Sequence, residues 1–439
     1  MGDLQEIVRY IIRFLLGEKN SGSSDFIGYT SDTEKFQKYR IVIFPSRFFD
    51  KDIYGSSQSL PELPLQTWEG IPLLFGTPRI EKIGATLVLY ADIIASTFFL
   101  ISRYEEMVNR SERDAHGRFP GRSSLSFRAG FLQRPMVEEY GKALRKILLE
   151  NGIDIPEPPE KLEKIYLTHD ADQIAHYRNF RGMSGALSRF LRNPYQAFKA
   201  VQTYWGGIEN DPWFTFPWML ELANELKKEN PQTAVESIVF IKSGGGELMT
   251  DKPLHNLKDN DFRKLFEICH LNNVKIGLHP SYRAGEDTSY VAEEKKILDE
   301  AVGQNTVYTR NHFLRNREPE DFLALIDAGL TDDFTMAYAD VAGFRLGTCR
   351  AVRWINPATK KLTSLVLHPT AMMDSTLSDE RYMKLRTEDA FSFSKMMIDR
   401  IKKHNGELIL LWHNTSVEKE NGLYHRDLYQ WIINYLKIN

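Results

Sequence analysis

Two aspartates at the end of a predicted strand are the clearest chemical signal in the sequence. Asp170 and Asp172 follow the apolar, β-rich run 164–168. In an extended chain, side chains two residues apart point the same way. Two such carboxylates repel, and one pKa rises unless a cation lies between them. A metal is the obvious cation, with one carboxylate as ligand and the other as base. The alternative is a helix N-cap followed by a first-turn acid.

Other polar side chains follow predicted strands further along the chain. His279 comes after the run 274–278, where it could bind a metal or simply hydrogen-bond within a loop. Arg310 follows the run 306–309 and could bind a carboxylate through two hydrogen bonds, or lie on the surface. His413 follows five apolar residues and could be a general acid at neutral pH, or a structural histidine.

The elements around these residues predict parallel β/α architecture. Short β-rich runs alternate with helical patterns after residue 163, which is typical of parallel strands joined by helices. Six to eight such units would close a barrel, whose catalytic side chains lie at the C-terminal ends of the strands. The predicted strands are 164–168, 237–241, 274–278, 306–309, 343–346, 363–367 and 408–412. The predicted helices include 262–271, 290–302, 318–327 and 387–405.

The first third of the chain predicts a smaller α/β domain of its own. The chain has 439 residues, which favours two domains. Residues 153–162 contain three prolines and no periodicity, so we predict domains at 1–152 and 163–439 joined by a linker. A net charge of −3 gives no reason to expect nucleic-acid binding. Two distant cysteines, no basic leader and no apolar run of spanning length predict a cytoplasmic protein without a membrane span.

The order of these motifs resembles the NodB-type polysaccharide deacetylases. More closely, the whole chain resembles a Bacteroidetes subgroup in which an extra N-terminal domain precedes the deacetylase barrel. The segments 102–106 (SRYEE) and 116–118 (HGR) carry the resemblance to that N-terminal domain. The fold that this implies is a distorted (β/α) barrel of the polysaccharide-deacetylase type, preceded by a smaller α/β domain.

The resemblance also implies roles for individual residues. Asp170 would be the general base, and Arg310 would orient it. Asp172 and His279 would bind a divalent metal, with zinc the first choice. His413 would protonate the leaving group. Asp333, which lies where the family's fourth motif is expected, would support the site.

One position departs from the pattern of the family. A second histidine usually follows the first by four residues, and that position is Arg283 here. A catalytic zinc usually has three protein ligands. His312, at the end of the next strand, is the natural substitute, whereas His169 should point away from its aspartate neighbours.

The predicted activity is metal-assisted removal of an N-acetyl or related acyl group from a sugar or glycan precursor. Aromatic side chains would stack on the sugar unless they form only a hydrophobic patch, and Arg345, if buried, would instead pair with an acid. Two alternatives are a non-catalytic carbohydrate-binding barrel and a hydrolase of another non-peptide C–N bond. Trp354 and His368 are assigned to packing or loop roles. The residues predicted to contact substrate are Trp205, Trp213, Tyr282, Phe344 and Arg345.

Overall fold

The N-terminal third of the chain contains a small mixed sheet and five helices. The computed structural model describes residues 2–17, 22, 24–178, 180–188, 190–192 and 194–438. The strands of this region are β1 (Ile27–Tyr29), β2 (Ile41–Ile43), β3 (Gln66–Trp68), β4 (Ile71–Leu73), β5 (Gly76–Ile83) and β6 (Thr86–Ala91). Its helices are α1 (Gly2–Leu16), α2 (Ile93–Ile101), α3 (Tyr104–Val108), α4 (Leu125–Arg128) and α5 (Met136–Glu150). The sheet order is β1-β2-β6-β5, in which only β5 is antiparallel to its neighbour.

The rest of the chain alternates between strands and helices. Its strands are β7 (Lys164–Ala171), β8 (Ala234–Ile241), β9 (Lys275–Leu278), β10 (Tyr308–Thr309), β11 (Asp332–Asp333), β12 (Val352–Asn356), β13 (Lys361–Leu367), β14 (Met372–Met373) and β15 (Glu407–Leu411). Its helices are α6 (Phe180–Leu187), α7 (Pro194–Trp205), α8 (Phe216–Glu229), α9 (Asn260–Leu271), α10 (Tyr290–Val302), α11 (Glu320–Asp327), α12 (Asp374–Ser378), α13 (Thr387–Lys403) and α14 (His425–Ile438).

Eight parallel strands of this region follow one another in the cyclic order of a (β/α) barrel. The sheet order is β12-β13-β11-β10-β9-β8-β7-β15-β14, in which β12 alone is antiparallel. Buried side chains from several strands meet inside the curve of the sheet, among them Tyr166, Phe240 and Phe334. The strands therefore curve round an interior, but no strand pairing in the described residues closes the ring between β13 and β14.

A histidine bridges the two sides of this opening. His368 follows β13, and its ring lies between the carboxylates of Asp332 on β11 and Glu407 on β15. The ring also stacks on Phe334, with 4.2 Å between ring centroids. Side-chain contacts of His368 thus connect the two sides of the opening, where no strand hydrogen bonds join them. The sequence analysis had assigned this histidine to a packing or loop role.

The parallel α/β architecture predicted from the sequence is confirmed, and most predicted elements lie within a few residues of observed ones. The predicted strand at 343–346 is wrong. Gly347 has a φ of +63° and closes a turn onto Phe344, while the N–H of Phe344 donates to the Leu132 carbonyl of the N-terminal region. The strands β11 and β14 were not predicted, because runs of two residues carry no periodic signal. The antiparallel β12, with five residues, was also not predicted.

The N-terminal region packs directly on the barrel. One hydrophobic cluster includes Ile11 and Leu144 of the first region and Phe322, Trp354 and Leu365 of the second. The predicted linker at 153–162 contains no helix or strand, and the division into two domains at that point stays a prediction. Within the described residues, none of the helices combines the length and apolar character needed to cross a membrane. The cytoplasmic location stays a prediction.

Candidate active site

An aspartate and an arginine form a buried ion pair at the mouth of the barrel. Asp170 is the last residue but one of β7, and Arg310 directly follows β10. The guanidinium of Arg310 donates to Asp170 Oδ1 at 2.7 Å and to Thr168 Oγ1 at 2.6 Å. It also lies over the Phe240 ring and donates to the Phe334 carbonyl. With three donors committed, Arg310 is fixed in one orientation and holds the Asp170 carboxylate in place.

Next to this pair, three side chains converge from three strand ends. One ligand atom each from Asp172, His279 and His312 lies within 4.8 Å of the others. The Nε2 atoms of His279 and His312 are 3.2 Å and 3.4 Å from Asp172 Oδ1. The structure therefore brings together the two ligands implied by the family pattern and the substitute proposed for the third.

The donor atoms of this triad fit a divalent cation. Asp172 Oδ1 and His279 Nε2 are buried and have no hydrogen-bond partner among the described residues. His279 Nδ1–H donates to the Arg310 carbonyl at 2.5 Å, which directs the Nε2 lone pair toward Asp172. Burial lowers the pKa of His312, which favours the neutral ring that binds metals. One carboxylate and two imidazoles are ligands that suit zinc.

The loop after His279 explains why Arg283 takes no part in this triad. The buried carboxylate of Asp251 accepts hydrogen bonds from the backbone N–H groups of Tyr282 and Arg283, which holds the loop against β8 and β9. The guanidinium of Arg283 lies 3.6 Å over the ring of Tyr290. The position where the family has a second histidine is thus turned toward α10, away from Asp172.

On the other side of Asp172, His413 is coupled to a second buried carboxylate. His413 Nδ1–H donates to Asp374 Oδ1 at 2.8 Å, and the backbone N–H of His413 donates to Asp374 Oδ2. Burial alone would lower the pKa of His413, but the charge of Asp374 raises it to about 10. The other ring nitrogen, Nε2, lies 3.8 Å from Asp172 Oδ2. His413 is therefore a protonated group whose free N–H faces the ligand cluster.

Asp333 lies behind the site. Its buried carboxylate accepts from the backbone N–H and the hydroxyl of Thr335, and that hydroxyl accepts from the N–H of Asn311. Burial raises the pKa of Asp333 to about 6. Asp333 thus contacts the backbone between Arg310 and His312 through Thr335 and makes no contact with the ligand atoms.

The aromatic residues predicted to contact substrate lie at different distances from this centre. The carbonyl of Trp213 accepts from the side chain of Asn414, next to His413, and its ring stacks on His176. Tyr282 is buried beside Arg315 in the loop that follows His279. Trp205 is 77% exposed at the end of α7. Only Trp213 and Tyr282 contact segments of the site.

Phe344 and Arg345 are not part of the site. Phe344 is buried in the hydrophobic cluster that packs α13 and α14 on the sheet. Arg345 is buried and donates to both carboxylate oxygens of Glu106, at 2.9 Å and 2.8 Å. The alternative predicted for a buried Arg345, pairing with an acid, is therefore the one observed.

Sequence reasoning missed two residues that contact the predicted ones. Thr168 accepts from Arg310 and donates to the Leu410 carbonyl, so it ties β7 to β15 below the ion pair. Asp374, the partner of His413, follows a strand of only two residues. Asp374 stands at a strand end and would have been found there once β14 was recognised, whereas Thr168 lies inside β7.

A family model and two solved structures are similar to parts of this chain. Residues 3–152 match the model of a family of unknown function (DUF7033). No curated protein matches the sequence. Two crystal structures described as polysaccharide deacetylases match with TM-scores of 0.40 and 0.34. The one from Mycobacterium smegmatis is 13% identical, over 64% of this chain and 86% of its own. The one from Pseudomonas aeruginosa PAO1 is 12% identical, over 66% of this chain and 91% of its own.

Proposed function

We propose that this chain is a metal-dependent hydrolase that removes an N-acetyl or related acyl group from a sugar or glycan precursor. The observation that carries the proposal is the convergence of Asp172, His279 and His312 between two polar pairs. On one side lies a carboxylate held by arginine, and on the other a histidine held by aspartate. Hydrolysis of an acyl amide uses a base for the attacking water and an acid for the leaving amine, and this arrangement supplies one on each side of the ligand cluster.

Asp170 is the base in this mechanism. Its Oδ1 is held by Arg310, and its Oδ2 lies 3.9 Å from His279 Nε2, on the side of the ligand cluster. Asp170 takes the proton of the attacking water, whose oxygen adds to the acyl carbon. Because the hydrogen bond from Arg310 occupies Oδ1, Oδ2 is the oxygen that takes the proton.

His413 is the acid. Its Nε2–H faces the cluster, while Asp374 stabilises the imidazolium and fixes the direction of the ring. His413 gives this proton to the nitrogen of the scissile C–N bond as that bond breaks, so the amine leaves neutral. The products are the free amino sugar and a carboxylate, which is acetate when the acyl group is acetyl.

A divalent metal, with zinc proposed first, would be held by Asp172, His279 and His312. When bound, such a metal polarises the acyl carbonyl and lowers the pKa of a bound water. The three residues themselves keep the reacting atoms between Asp170 and His413. Side-chain exposure rises from 5% at Asp170 to 22% at His413 and 31% at Asp172, so substrate enters past His413 and Asp172.

The sugar part of the proposal is supported by the segment next to His413. Trp213 and Asn414 are joined by a hydrogen bond from the Asn414 amide to the Trp213 carbonyl. A tryptophan there can stack on the apolar face of a sugar ring, and Trp205 on the exposed α7 can extend that surface. The resemblance to the deacetylase subgroup with an extra N-terminal domain stays part of this proposal.

The test is metal stoichiometry together with acetate release. The purified chain is loaded with zinc or cobalt, and acetate release is measured on N-acetylated chito-oligosaccharides. The expected result is near one metal per chain in the parent, with metal and activity both lost in Asp172→Ala and in His312→Ala. Arg283→Ala is the matched control, since Arg283 stands where the family has a ligand but lies over Tyr290.

Other outcomes would change the proposal in different ways. Metal lost in Asp172→Ala but kept in His312→Ala would remove His312 from the ligand set. A parent that binds metal but releases no acetate, while it hydrolyses small cyclic amides, would favour a hydrolase of another C–N bond. A parent that binds no metal even with excess zinc or cobalt would contradict the mechanism.

A further inference from the structure

We infer that a turn of the N-terminal region is part of this active site and that its Arg118 is a positioning residue for the metal ligand His312. The turn consists of residues 114–118 and is called the 114–118 turn below. The inference rests on the proposed function, since it assigns a role relative to the proposed metal. It gives the N-terminal region a direct part in the chemistry of the barrel.

The 114–118 turn is a closed unit that does not depend on the barrel for its shape. Asp114 Oδ1 accepts from the backbone N–H groups of His116 and Arg118, both at 2.9 Å. Asp114 Oδ2 accepts from Arg118 Nε at 2.8 Å. Gly117 has a φ of +74°, a conformation that a residue with a side chain rarely adopts. The turn is therefore pre-formed, and it presents Arg118 in a single direction.

Arg118 uses its remaining donors on the rim of the barrel. Its guanidinium donates to the Phe313 carbonyl at 3.2 Å and to the Tyr382 hydroxyl at 3.2 Å. Arg118 is buried. His116, from the same turn, packs its ring on Phe313 with 4.7 Å between centroids. Two side chains of the turn thus contact Phe313, the residue that directly follows the ligand His312.

The backbone at Phe313 is in a conformation that needs such support. Phe313 and Leu314 have φ values of +60° and +56°, which disfavour residues with large side chains. A pair of left-handed residues reverses the chain immediately after His312. Without an external hydrogen bond on the Phe313 carbonyl, this turn would relax toward ordinary backbone angles and take His312 with it.

The position of the His312 ring depends on the backbone more than the positions of the other histidine rings of the site do. His279 and His413 each donate Nδ1–H to a fixed acceptor, the Arg310 carbonyl and the Asp374 carboxylate. The Nδ1 of His312 is buried and has no protein partner in the part of the chain that the structure describes. Besides the approach of its Nε2 to Asp172 Oδ1 at 3.4 Å, its ring is held by packing against the rings of Phe313 and His279, at 4.7 Å and 5.0 Å. The position of its Nε2 therefore follows the backbone of the next residue.

The experiment compares metal affinity in Arg118→Ala and Arg122→Ala. Arg122 lies on the same segment and donates to the Tyr382 carbonyl, but it makes no contact with Phe313. The affinity of the full-length chain for Co²⁺ and Zn²⁺ is measured by competition with a chelator, and the unfolding temperature of each metal-free variant is recorded beside it. Loss of a partner that orients a ligand typically weakens metal binding 10–100-fold. We expect about this loss in Arg118→Ala and less than a twofold change in Arg122→Ala.

A double-mutant cycle separates positioning from general damage. If Arg118 acts through His312, Arg118→Ala causes no further loss of affinity when His312 is already alanine. Arg118→Lys gives the second variant, because lysine keeps the charge beside Asp114 but lacks the planar group that spans Asp114, Phe313 and Tyr382. It should also weaken metal binding, by less than alanine does.

Each contrary result has a separate meaning. Unchanged affinity in both Arg118 variants, with metal bound by the parent, overturns the positioning role and leaves the proposed function standing. So does an equal loss in Arg122→Ala, or a loss in Arg118→Ala that persists without His312. A parent that binds no metal overturns the proposed function and this inference together.

Discussion

Two parts of the barrel each hold a histidine paired with acids. The mouth holds His413, and the opening between β13 and β14, called the floor below, holds His368. The two histidines are equipped for different tasks. At the mouth, His413 donates one ring N–H to Asp374 and leaves the other free. On the floor, His368 has a carboxylate at each ring nitrogen, Glu407 at 2.8 Å and Asp332 at 3.1 Å. Burial opposes the charge in both cases, yet the acids raise the pKa of His413 to about 10 and that of His368 to about 9.

A raised pKa therefore does not by itself distinguish a catalytic histidine from a structural one. What differs is the second nitrogen and what it faces. His413 Nε2 faces Asp172 across 3.8 Å in a part-exposed site, whereas the His368 ring is buried and stacked on Phe334. A proton with no competing acceptor can be delivered to substrate. A proton held between two carboxylates joins the strands that carry them.

The largest effect on kcat is expected from removing His413 at the mouth. His413→Ala removes the acid, and general acid–base catalysis typically contributes 10²–10⁴-fold, so we expect kcat to fall by about that factor. The free energy of unfolding should also fall, by about 3 kcal/mol, because the buried Asp374 carboxylate loses its cationic partner, so kcat is expressed per folded molecule. Steady-state kinetics on the N-acetylated oligosaccharide and urea unfolding measure the two quantities. A kcat within threefold of the parent would remove His413 from the mechanism.

Removal of the histidine on the floor should also lower stability, but it should leave kcat unchanged. His368→Leu leaves the carboxylates of Asp332 and Glu407 without the cation between them, and removing one partner of a buried ion pair costs about 3–5 kcal/mol. We expect the low end, about 3 kcal/mol, because the Asp332 side chain is 26% exposed. Urea unfolding measures the loss, and kcat per folded molecule should not change. A change in kcat as large as that of His413→Ala would contradict the division between floor and mouth.

The stabilisation from His368 should also depend on pH in a specified direction. Its pKa is raised in the folded chain, from about 6.5 to about 9, so the folded state binds the proton more tightly. This stabilisation is fully present well below pH 6.5 and is lost as the pH rises through 9, a difference of about 3 kcal/mol. Urea unfolding at pH 6.5 and 9 should show this decrease in the parent relative to His368→Leu. Parallel pH profiles in the two proteins would show that His368 is not charged in the fold.

The sequence predicts the mouth better than the floor for a physical reason. Asp170, His279, Arg310 and His413 lie just after the β-rich runs 164–168, 274–278, 306–309 and 408–412, and parallel strands bring their C-terminal ends to one edge. The role of His368 depends on which strands fail to pair, and this is decided only when the whole barrel has folded. No local sequence pattern marks the opening between β13 and β14 that His368 bridges.

Contacts between distant segments account for the other differences. Arg345 lies in a glycine-flanked run that resembles a strand end, but its partner Glu106 is more than 200 residues away in the chain. The contact of Arg118 with the Phe313 carbonyl is equally remote in sequence. Such pairs form only when the N-terminal region packs on the barrel, so a pattern read along the chain cannot reveal them.

The smallest effect on kcat is expected from changing Asp374, the partner of His413. Asp374→Asn keeps the shape of the side chain but removes the charge that stabilises the imidazolium and one of the acceptors that hold it. We expect kcat to fall about tenfold, less than in His413→Ala, because the acid itself remains and can still be oriented by the amide oxygen. The matched control is Asp332→Asn, which removes the same charge beside His368 on the floor and should leave kcat unchanged while it lowers stability. Equal kcat values in the two variants would mean that the acid at the mouth acts without its carboxylate, and that the free nitrogen alone distinguishes His413 from His368.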